Sequence, residues 1–125
     1  MTQSLRVLIT GVAGFLGSHL AEKLADTKHS VVGIDNMIGG YRDNVPKNIE
    51  FHEVDCCDLK KIKKIIKGVD VVYHCAATAH EGLSVFSPYE ITKNNYLASI
   101  SIFTAAVNEK VKRIIFCSSM ARYGD

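Results

Sequence analysis

The sequence predicts an α/β protein with a doubly wound parallel sheet and helices on both of its faces. Three observations support this prediction. Short apolar runs alternate with helical patterns along all 125 residues. The apolar runs are continuous, as in strands that are buried on both faces. Three glycines stand directly between the first apolar run and the first helical pattern. The length suits one domain with a hydrophobic core, and not two.

Each element follows from its local pattern. Apolar runs predict four strands, at 5–10, 30–35, 69–74 and 113–117, and a further short strand is predicted at 50–54. The helical patterns predict three helices, at 15–27, at 58–67 and from Pro88 to about Lys110. Gly68 suits a helix end and Pro88 a first helical turn. The segments 36–48 and 77–87 are predicted to be irregular.

The three glycines follow the spacing G-x-x-G-x-x-G at Gly11, Gly14 and Gly17. In a strand–turn–helix context, the first glycine allows a sharp turn and the second lets a pyrophosphate approach the backbone. The third allows the helix to pack closely against the strand. The free N–H groups and the dipole of the helix start then attract the anion. The motif predicts a dinucleotide-binding turn of the Rossmann type.

Asp35 ends the second predicted strand, 18 positions after Gly17. A carboxylate at this place accepts hydrogen bonds from the adenosine ribose hydroxyls and repels a 2′-phosphate, which favours NAD over NADP. The alternative is an ordinary turn, because the dipeptide Asp35-Asn36 is common in turns.

Asn95 is the one amide in an otherwise apolar stripe of the third predicted helix. The stripe has helical spacing and consists of Ile91, Asn95, Ala98, Ile102 and Ala105. A buried amide without partners costs about 1–3 kcal/mol, so Asn95 is expected to be hydrogen-bonded. Two roles are open, and both can hold together: Asn95 bonds to a neighbouring loop backbone, or it lies beside a cofactor.

Composition and charge exclude several classes of protein. The chain is 47% hydrophobic and 22% charged, with a net charge of +2. The lysines of 60–67 alternate with isoleucines and lack interleaved aromatic residues, so they indicate a solvated helix face rather than a nucleic-acid site. No apolar run reaches 18 residues, so we expect no membrane span, and the first four residues do not suggest a signal peptide.

The four cysteines, Cys56, Cys57, Cys75 and Cys117, form no C-x-x-C pair. Their scattered positions do not suit a tetrahedral zinc site, so no metal is expected. We interpret them as reduced thiols of a cytoplasmic protein.

The order of motifs resembles the extended short-chain dehydrogenase/reductase family, specifically its NAD-dependent nucleotide-sugar epimerases and dehydratases. The resemblance covers almost the whole chain. The matching stretches are Thr10–His19, Asp35-Asn36, Asp55–Leu59, His74–Ala77, Pro88 with Asn95, and Ser118–Gly124.

The resemblance implies a role for each matching residue. Gly11, Gly14, Phe15, Leu16 and Gly17 would line the pyrophosphate, Asp35 and Asn36 would hold the adenosine ribose, and Asp55 with the backbone at Cys56 would flank adenine. Cys75, Ala76 and Ala77 would pass under the nicotinamide half, with Asn95 near the cofactor. For Asp55 the alternative is a helix N-cap, although Asp58 fits that cap better.

Ser119 matches the Ser/Thr that hydrogen-bonds the reacting sugar hydroxyl in the family, and its alternative role is to cap backbone at the strand end. The family places a Tyr-x-x-x-Lys motif downstream of this residue, and residues 1–125 do not include it there. The literal match from Tyr89 to Lys93 precedes Ser119, and we interpret it as a surface pair. Residues 1–125 are thus expected to form an incomplete NAD-binding Rossmann domain without the substrate domain.

The residues after Ser119 bear on the reaction. Met120 and Ala121 stand where the family's sugar dehydratases carry Asp-Glu, and neither residue can transfer a proton. The resemblance then implies C4 epimerisation of a nucleotide sugar through a transient keto intermediate, by an intact protein that is a homodimer. The alternatives are an NAD-binding module without catalysis, or dehydration, decarboxylation or keto reduction. No catalysis is expected from the 125 residues alone.

Overall fold

The computed structural model describes residues 3–124; Met1, Thr2 and Asp125 lie outside the described range. Its centre is a five-stranded sheet in the order β3-β2-β1-β4-β5. All neighbouring strands are parallel, which confirms the predicted fold class. The strands are β1 (Arg6–Thr10), β2 (Ser30–Asp35), β3 (Glu50–Glu53), β4 (Val71–His74) and β5 (Arg113–Phe116).

The chain builds outward from β1 to β2 and β3, then returns to place β4 on the other side of β1. The connections after β1 and β4 therefore diverge at the carboxyl edge of the sheet. Open parallel sheets bind ligands at such a switch point, so the topology places the glycine turn where a binding crevice is expected.

The helices are α1 (Phe15–Ala25), α2 (Leu59–Ile65), α3 (Glu81–Phe86), α4 (Pro88–Ile91) and α5 (Ala98–Asn108). A π-helical stretch, Thr92–Leu97, joins α4 to α5, and two 3₁₀ turns span Arg42–Asn44 and Met120–Tyr123. Asp58 caps α2 by accepting a hydrogen bond from the Lys61 N–H at 3.1 Å, as predicted. Gly68 adopts the left-handed φ of 74° just beyond that helix.

Two predictions about elements were wrong. The segment 77–87 contains α3, and the third predicted helix is not a uniform α-helix because the π-helical stretch interrupts it. Helix α3 has six residues, none of them buried, and is too short for a periodic pattern to reveal it. Its turns are held by local backbone bonds, including the Ser87 N–H to the Leu83 carbonyl at 2.8 Å.

The hydrophobic core lies on both faces of the sheet. On one face, Leu8 of β1 packs with Ile62 of α2 and Ile102 of α5. On the other face, Val7 and Ile9 pack against α1. Alternate residues of β1 therefore point to opposite cores, which explains why the strand is apolar throughout.

A chain of polar side chains crosses the first of these cores. The Thr10 Oγ1 atom accepts the N–H groups of Cys75 and Ala76 at 3.1 and 3.0 Å, and lies 2.7 Å from His74 Nδ1. Because Thr10 Oγ1 already accepts two bonds, its own hydrogen is donated to His74 Nδ1. His74 Nε2 then donates to Ser99 Oγ at 2.9 Å, and the Ser99 hydroxyl donates to the Asn95 carbonyl at 2.5 Å.

Burial lowers the pKa of His74 from 6.5 to about 4, because the protonated ring would lose its hydration. His74 is 1% exposed. Its ring must be neutral for Nδ1 to accept the hydrogen of the Thr10 hydroxyl. Between these two pKa values the unfolded chain binds a proton that the folded chain does not. The stability is therefore complete above pH 6.5 and falls as the pH drops toward 4, by at most about 3 kcal/mol.

We predict that the urea midpoint of the chain falls between pH 6.5 and 4 more steeply than that of His74→Gln. Replacing the exposed His80 with Gln serves as the matched control and is expected to keep the steep dependence. Equal pH slopes for the native chain and His74→Gln would show that His74 is not the titrating group.

Candidate dinucleotide-binding site

The glycine turn connects β1 directly to the start of α1. Gly11 has a φ of 69°, in the left-handed region. A Cβ atom at Gly11 would lie 2.8 Å from the Cα of Ala76, and one at Gly17 would collide with the carbonyl oxygen of Gly11. Strand, turn and helix thus approach more closely than any side chain would allow, which explains the glycines at these two positions.

The N-terminus of α1 points out of this turn without a side-chain cap. Gly14 is the N-cap residue, and its own N–H donates to the Gly11 carbonyl at 3.1 Å. Phe15 and Leu16 follow, with side chains 83% and 54% exposed. An uncapped, glycine-lined helix start offers backbone N–H groups and the positive end of the helix dipole to an anion.

Asp35 lies beside this turn at the carboxyl end of β2. Its Oδ2 atom accepts the N–H of Ala13 at 3.0 Å, and its Oδ1 atom accepts the N–H of Met37 at 2.8 Å. Asn36 makes a similar local bond, with its Oδ1 accepting the Ile38 N–H at 3.1 Å. The carboxylate is thus bound to the glycine turn as well as to its own loop. Each oxygen retains lone pairs for a further donor.

The strand end of β4 forms the other side of the turn. The Thr10 hydroxyl binds the N–H groups of Cys75 and Ala76, so the chain after β4 is held against the chain after β1. Cys75 and Ala76 are half-buried and Ala77 is exposed. The side chains at 76 and 77 are small.

Asn95 lies in the π-helical stretch and is half-buried. Its side chain bonds the backbone of Thr78 twice: Oδ1 accepts the Thr78 N–H at 2.7 Å, and Nδ2 donates to the Thr78 carbonyl at 3.1 Å. The expected partnership with a loop backbone is confirmed. It fixes the loop that follows Ala77, and a role beside a cofactor stays a prediction.

Asp55 does not cap α2. Its Oδ1 atom accepts the N–H of Cys57 at 2.7 Å in the turn before the helix. Cys56 is 7% exposed and belongs to the core that contains Val54 and Ile62. Burial is the main reason that the pKa of Cys56 is raised to about 12, so its thiol remains protonated.

Ser119 makes the capping bond that was its alternative role. Its Oγ atom accepts the N–H of Ala121 at 3.1 Å at the start of the 3₁₀ turn. Ser118 has a φ of 58°, a left-handed conformation that is uncommon for serine. The side chains of Met120 and Tyr123 are 87% and 78% exposed. The catalytic role of Ser119 stays a prediction.

The interpretation of Tyr89 and Lys93 as a surface pair also stays a prediction. Tyr89 lies in α4 and is 75% exposed, and the backbone carbonyl of Lys93 accepts the Cys57 thiol at 3.3 Å.

Within residues 3–124, no group of three or more His, Cys, Asp or Glu side chains could hold a metal ion. None of the helices described for this range has the length and apolar character needed to cross a membrane.

Sequence reasoning assigned no role to Thr10 or to His74. Both side chains act by fixing the backbone on which the candidate site is built. The signal for Thr10 was a hydroxyl residue at the end of an otherwise apolar strand, directly before the first glycine. The signal for His74 was its position at the end of the fourth strand. The contact between Thr10 and His74, however, joins residues 64 positions apart and depends on the pairing of β1 with β4.

Comparisons with known proteins identify the family. The model of the NAD dependent epimerase/dehydratase family matches residues 7–125. The chain belongs to this family. The family is NAD dependent, which agrees with NAD as the cofactor predicted from the sequence.

Curated relatives include UDP-glucose 4-epimerase of Streptomyces lividans, 32% identical over 96% of this chain and 37% of that protein. A UDP-N-acetyl-alpha-D-glucosaminuronate decarboxylase of Bacillus cytotoxicus is 34% identical over 95% of this chain and 38% of its own length. The chain thus spans less than two fifths of the length of these two relatives.

Solved structures of similar proteins have the same fold. UDP-glucose 4-epimerase of Brucella ovis, solved in complex with NAD, superposes with a TM-score of 0.91 at 33% identity, over 98% of this chain and 38% of that chain. UDP-N-acetylglucosamine 4-epimerase of Methanobrevibacter ruminantium also has a TM-score of 0.91, at 36% identity over 98% and 40% of the two chains.

The contact between Gly17 and Gly11 predicts a large difference between two glycine-to-alanine substitutions. Gly17→Ala is expected to destabilise the chain by about 3 kcal/mol or more, because the new methyl group meets backbone that cannot move aside. Gly39→Ala adds a methyl group with no atom within 4 Å and is expected to change stability by less than about 0.5 kcal/mol. Urea unfolding of both variants provides the measurement, and similar midpoints would contradict the packing described for the turn.

Proposed function

We propose that this chain is the NAD-binding part of a nucleotide-sugar epimerase that acts at C4 of the sugar through a transient keto intermediate. The observation that carries the proposal is the uncapped glycine turn bound to the Asp35 carboxylate at the switch point of the sheet. The family match and the relatives named 4-epimerase support it.

The residues present suit NAD. The uncapped start of α1 offers backbone N–H groups that suit a pyrophosphate, and the exposed Phe15 and Leu16 lie in its first turn. We assign the adenosine ribose to Asp35 and Asn36, the adenine to Asp55 and Cys56, and the nicotinamide side to Cys75, Ala76, Ala77 and Asn95. The hydrogen bonds of Asp35 and Asn95 to backbone support these roles, because they hold each side chain in one orientation.

NAD supplies a reversible hydride acceptor. In this proposal Ser119 hydrogen-bonds the sugar hydroxyl that is oxidised. Its position just after β5, on the same edge of the sheet as the glycine turn, supports this role. A serine hydroxyl is a poor base at neutral pH, so proton transfer requires a further basic group. We infer that this group is the family's Tyr-x-x-x-Lys motif, outside residues 1–125.

Epimerisation is favoured over dehydration because Met120 and Ala121 carry no acid or base. Decarboxylation is the second candidate, because the decarboxylase of Bacillus cytotoxicus is as similar to this chain as the epimerases are. The absence of a carboxylate at position 121 argues against it, since the family's decarboxylases tend to carry Glu there.

We further propose that the complete protein is a cytoplasmic homodimer. Exposed apolar side chains on α3 and α4 support association, namely Leu83, Val85, Phe86 and Tyr89. Free cysteines support a reducing compartment.

The role assigned to Asp35 predicts a preference for NAD over NADP. The native chain is expected to bind NAD about tenfold or more tightly than NADP, because a 2′-phosphate would meet the carboxylate. Asp35→Asn keeps the size of the side chain and removes its charge, so the two affinities should converge. Asp43→Asn removes an exposed charge in the loop that follows β2 and should leave the preference unchanged. Calorimetric titration provides the measurement, and equal affinities in the native chain would refute the assignment.

The proposed reaction predicts that residues 1–125 alone do not convert UDP-glucose, because they lack the acid–base pair that contributes about 10²–10⁴-fold to such reactions. A protein that also contains the downstream motif should interconvert UDP-glucose and its C4 epimer without net consumption of NAD. Chromatography of the nucleotide sugars is the assay. A 4-keto-6-deoxy product would show a dehydratase, and epimerisation by the 125 residues would return Tyr89 and Lys93 to consideration.

A further inference from the structure

Two cysteines face each other at the carboxyl ends of adjacent strands. The pairing of β4 with β5 ends at His74 and Phe116, and the Cys117 N–H continues it by donating to the His74 carbonyl at 3.5 Å. Cys75 and Cys117 are therefore the next pair in register. In a parallel pair such residues point to the same face. Their Sγ atoms lie 3.6 Å apart.

This geometry suits a disulfide bond. Neighbouring strands are about 4.8 Å apart, within the usual range of about 4.4–6.8 Å for the Cα atoms of a disulfide pair. The two sulfur atoms need to move together by about 1.5 Å to reach the S–S bond length of about 2.05 Å. Residues 117–124 are exposed, so Cys117 can make this movement without disturbing the core.

The two thiols differ in their surroundings. Cys117 is exposed, whereas Cys75 is half-buried beside the core on the α1 face. Burial raises the pKa of Cys75 to about 12, with the neighbouring Cys117 adding to the shift. Cys117 is therefore the thiol that meets a dissolved oxidant first, and Cys75 is the thiol positioned to react with the product.

We propose that Cys75 and Cys117 form a reversible dithiol–disulfide pair that is oxidised by hydrogen peroxide. The Cys117 thiolate attacks one peroxide oxygen, the O–O bond breaks, and the leaving hydroxide takes up a proton as water. The sulfur of Cys75 then attacks the Cys117 sulfenic acid. The S–S bond forms, the S–O bond breaks, and hydroxide leaves with the Cys75 proton as a second water. Two thiols lose two electrons in total and the peroxide gains them.

This pair is distinct from the other two cysteines. Cys56 lies in the core, and the Cys57 thiol donates to the Lys93 carbonyl at 3.3 Å. The inference concerns thiol chemistry alone and does not depend on the proposed epimerase function.

The test is to treat the folded chain with hydrogen peroxide, alkylate the remaining thiols, digest with trypsin and identify linked peptides by mass spectrometry. Cleavage after Lys and Arg places Cys75 in peptide 68–93, Cys117 in peptide 114–122, and Cys56 with Cys57 in peptide 48–60. We expect peptides 68–93 and 114–122 to form the dominant linked pair, and dithiothreitol to separate them. In urea the pair of 48–60 with 68–93 should dominate instead, because the shorter loop closes more readily.

Variants distinguish the order of the two steps. In Cys75→Ser, dimedone should label Cys117 as a trapped sulfenic acid, whereas in Cys117→Ser residue 75 should remain a thiol. Cys57→Ala is the matched control and should still give the 75–117 disulfide. The proposal would be overturned if the folded native chain gave no 75–117 disulfide, or gave the same distribution of disulfides as in urea.

Discussion

The first turn of α1 lies against the turn that leaves β1, and the contact leaves no space for a side chain at Gly17. The rest of the carboxyl edge is arranged around this contact. Asp35 binds the N–H of Ala13 within the turn, and Ala76 lies against Gly11 from the other side. Strands β2 and β4 therefore hold the turn from both neighbours of β1. A backbone held in this way can present its N–H groups to an anion without first becoming ordered, which lowers the entropic cost of binding.

The hydroxyl of Thr10, the residue before Gly11, also holds the carboxyl edge together. It joins β1 to the first two residues after β4, and through His74 and Ser99 it reaches the backbone of Asn95. The Asn95 side chain in turn holds Thr78. One buried polar chain thus connects the glycine turn to the loop that begins at Cys75. Because every member of this chain has a partner, its burial costs little, and its loss would leave buried donors unpaired.

The sheet could be predicted from the sequence because β1, β2, β4 and β5 lie in mainly apolar runs, and the glycine spacing located the turn between β1 and α1. Helix α3 could not be predicted because its six residues are too few to show a helical period. The π-helical stretch was missed because Asn95 fits an α-helical stripe at the level of spacing. Ala98, Ile102 and Ala105 of that stripe are buried, whereas Ile91 and Asn95 are only half-buried. Contacts such as Thr10 with His74 join distant positions, so no local pattern could reveal them.

For the candidate site residues too, the sequence revealed the local motifs but not the contacts between distant positions. The stretches that suggested them are local, and the structure adds the backbone contacts of Asp35, Asn95 and Ser119. For Asn95 and Ser119 these contacts are the structural alternatives that the sequence left open. These contacts are compatible with a second role, because a carboxylate, amide or hydroxyl that bonds to the backbone is itself fixed in one orientation by that bond.

The most direct test of the central claim is a map of backbone amide signals during titration with NAD, by heteronuclear NMR of the isotope-labelled chain. The claim is that NAD binds at the carboxyl edge, around the glycine turn. The amides of 11–17, 35–37 and 75–77 should then shift with NAD concentration. Those of Arg6, Asp70 and Lys112, which are joined by hydrogen bonds and an ion pair near the opposite edge, should not. Shifts confined to that opposite edge, or no shifts at saturating NAD, would contradict the account.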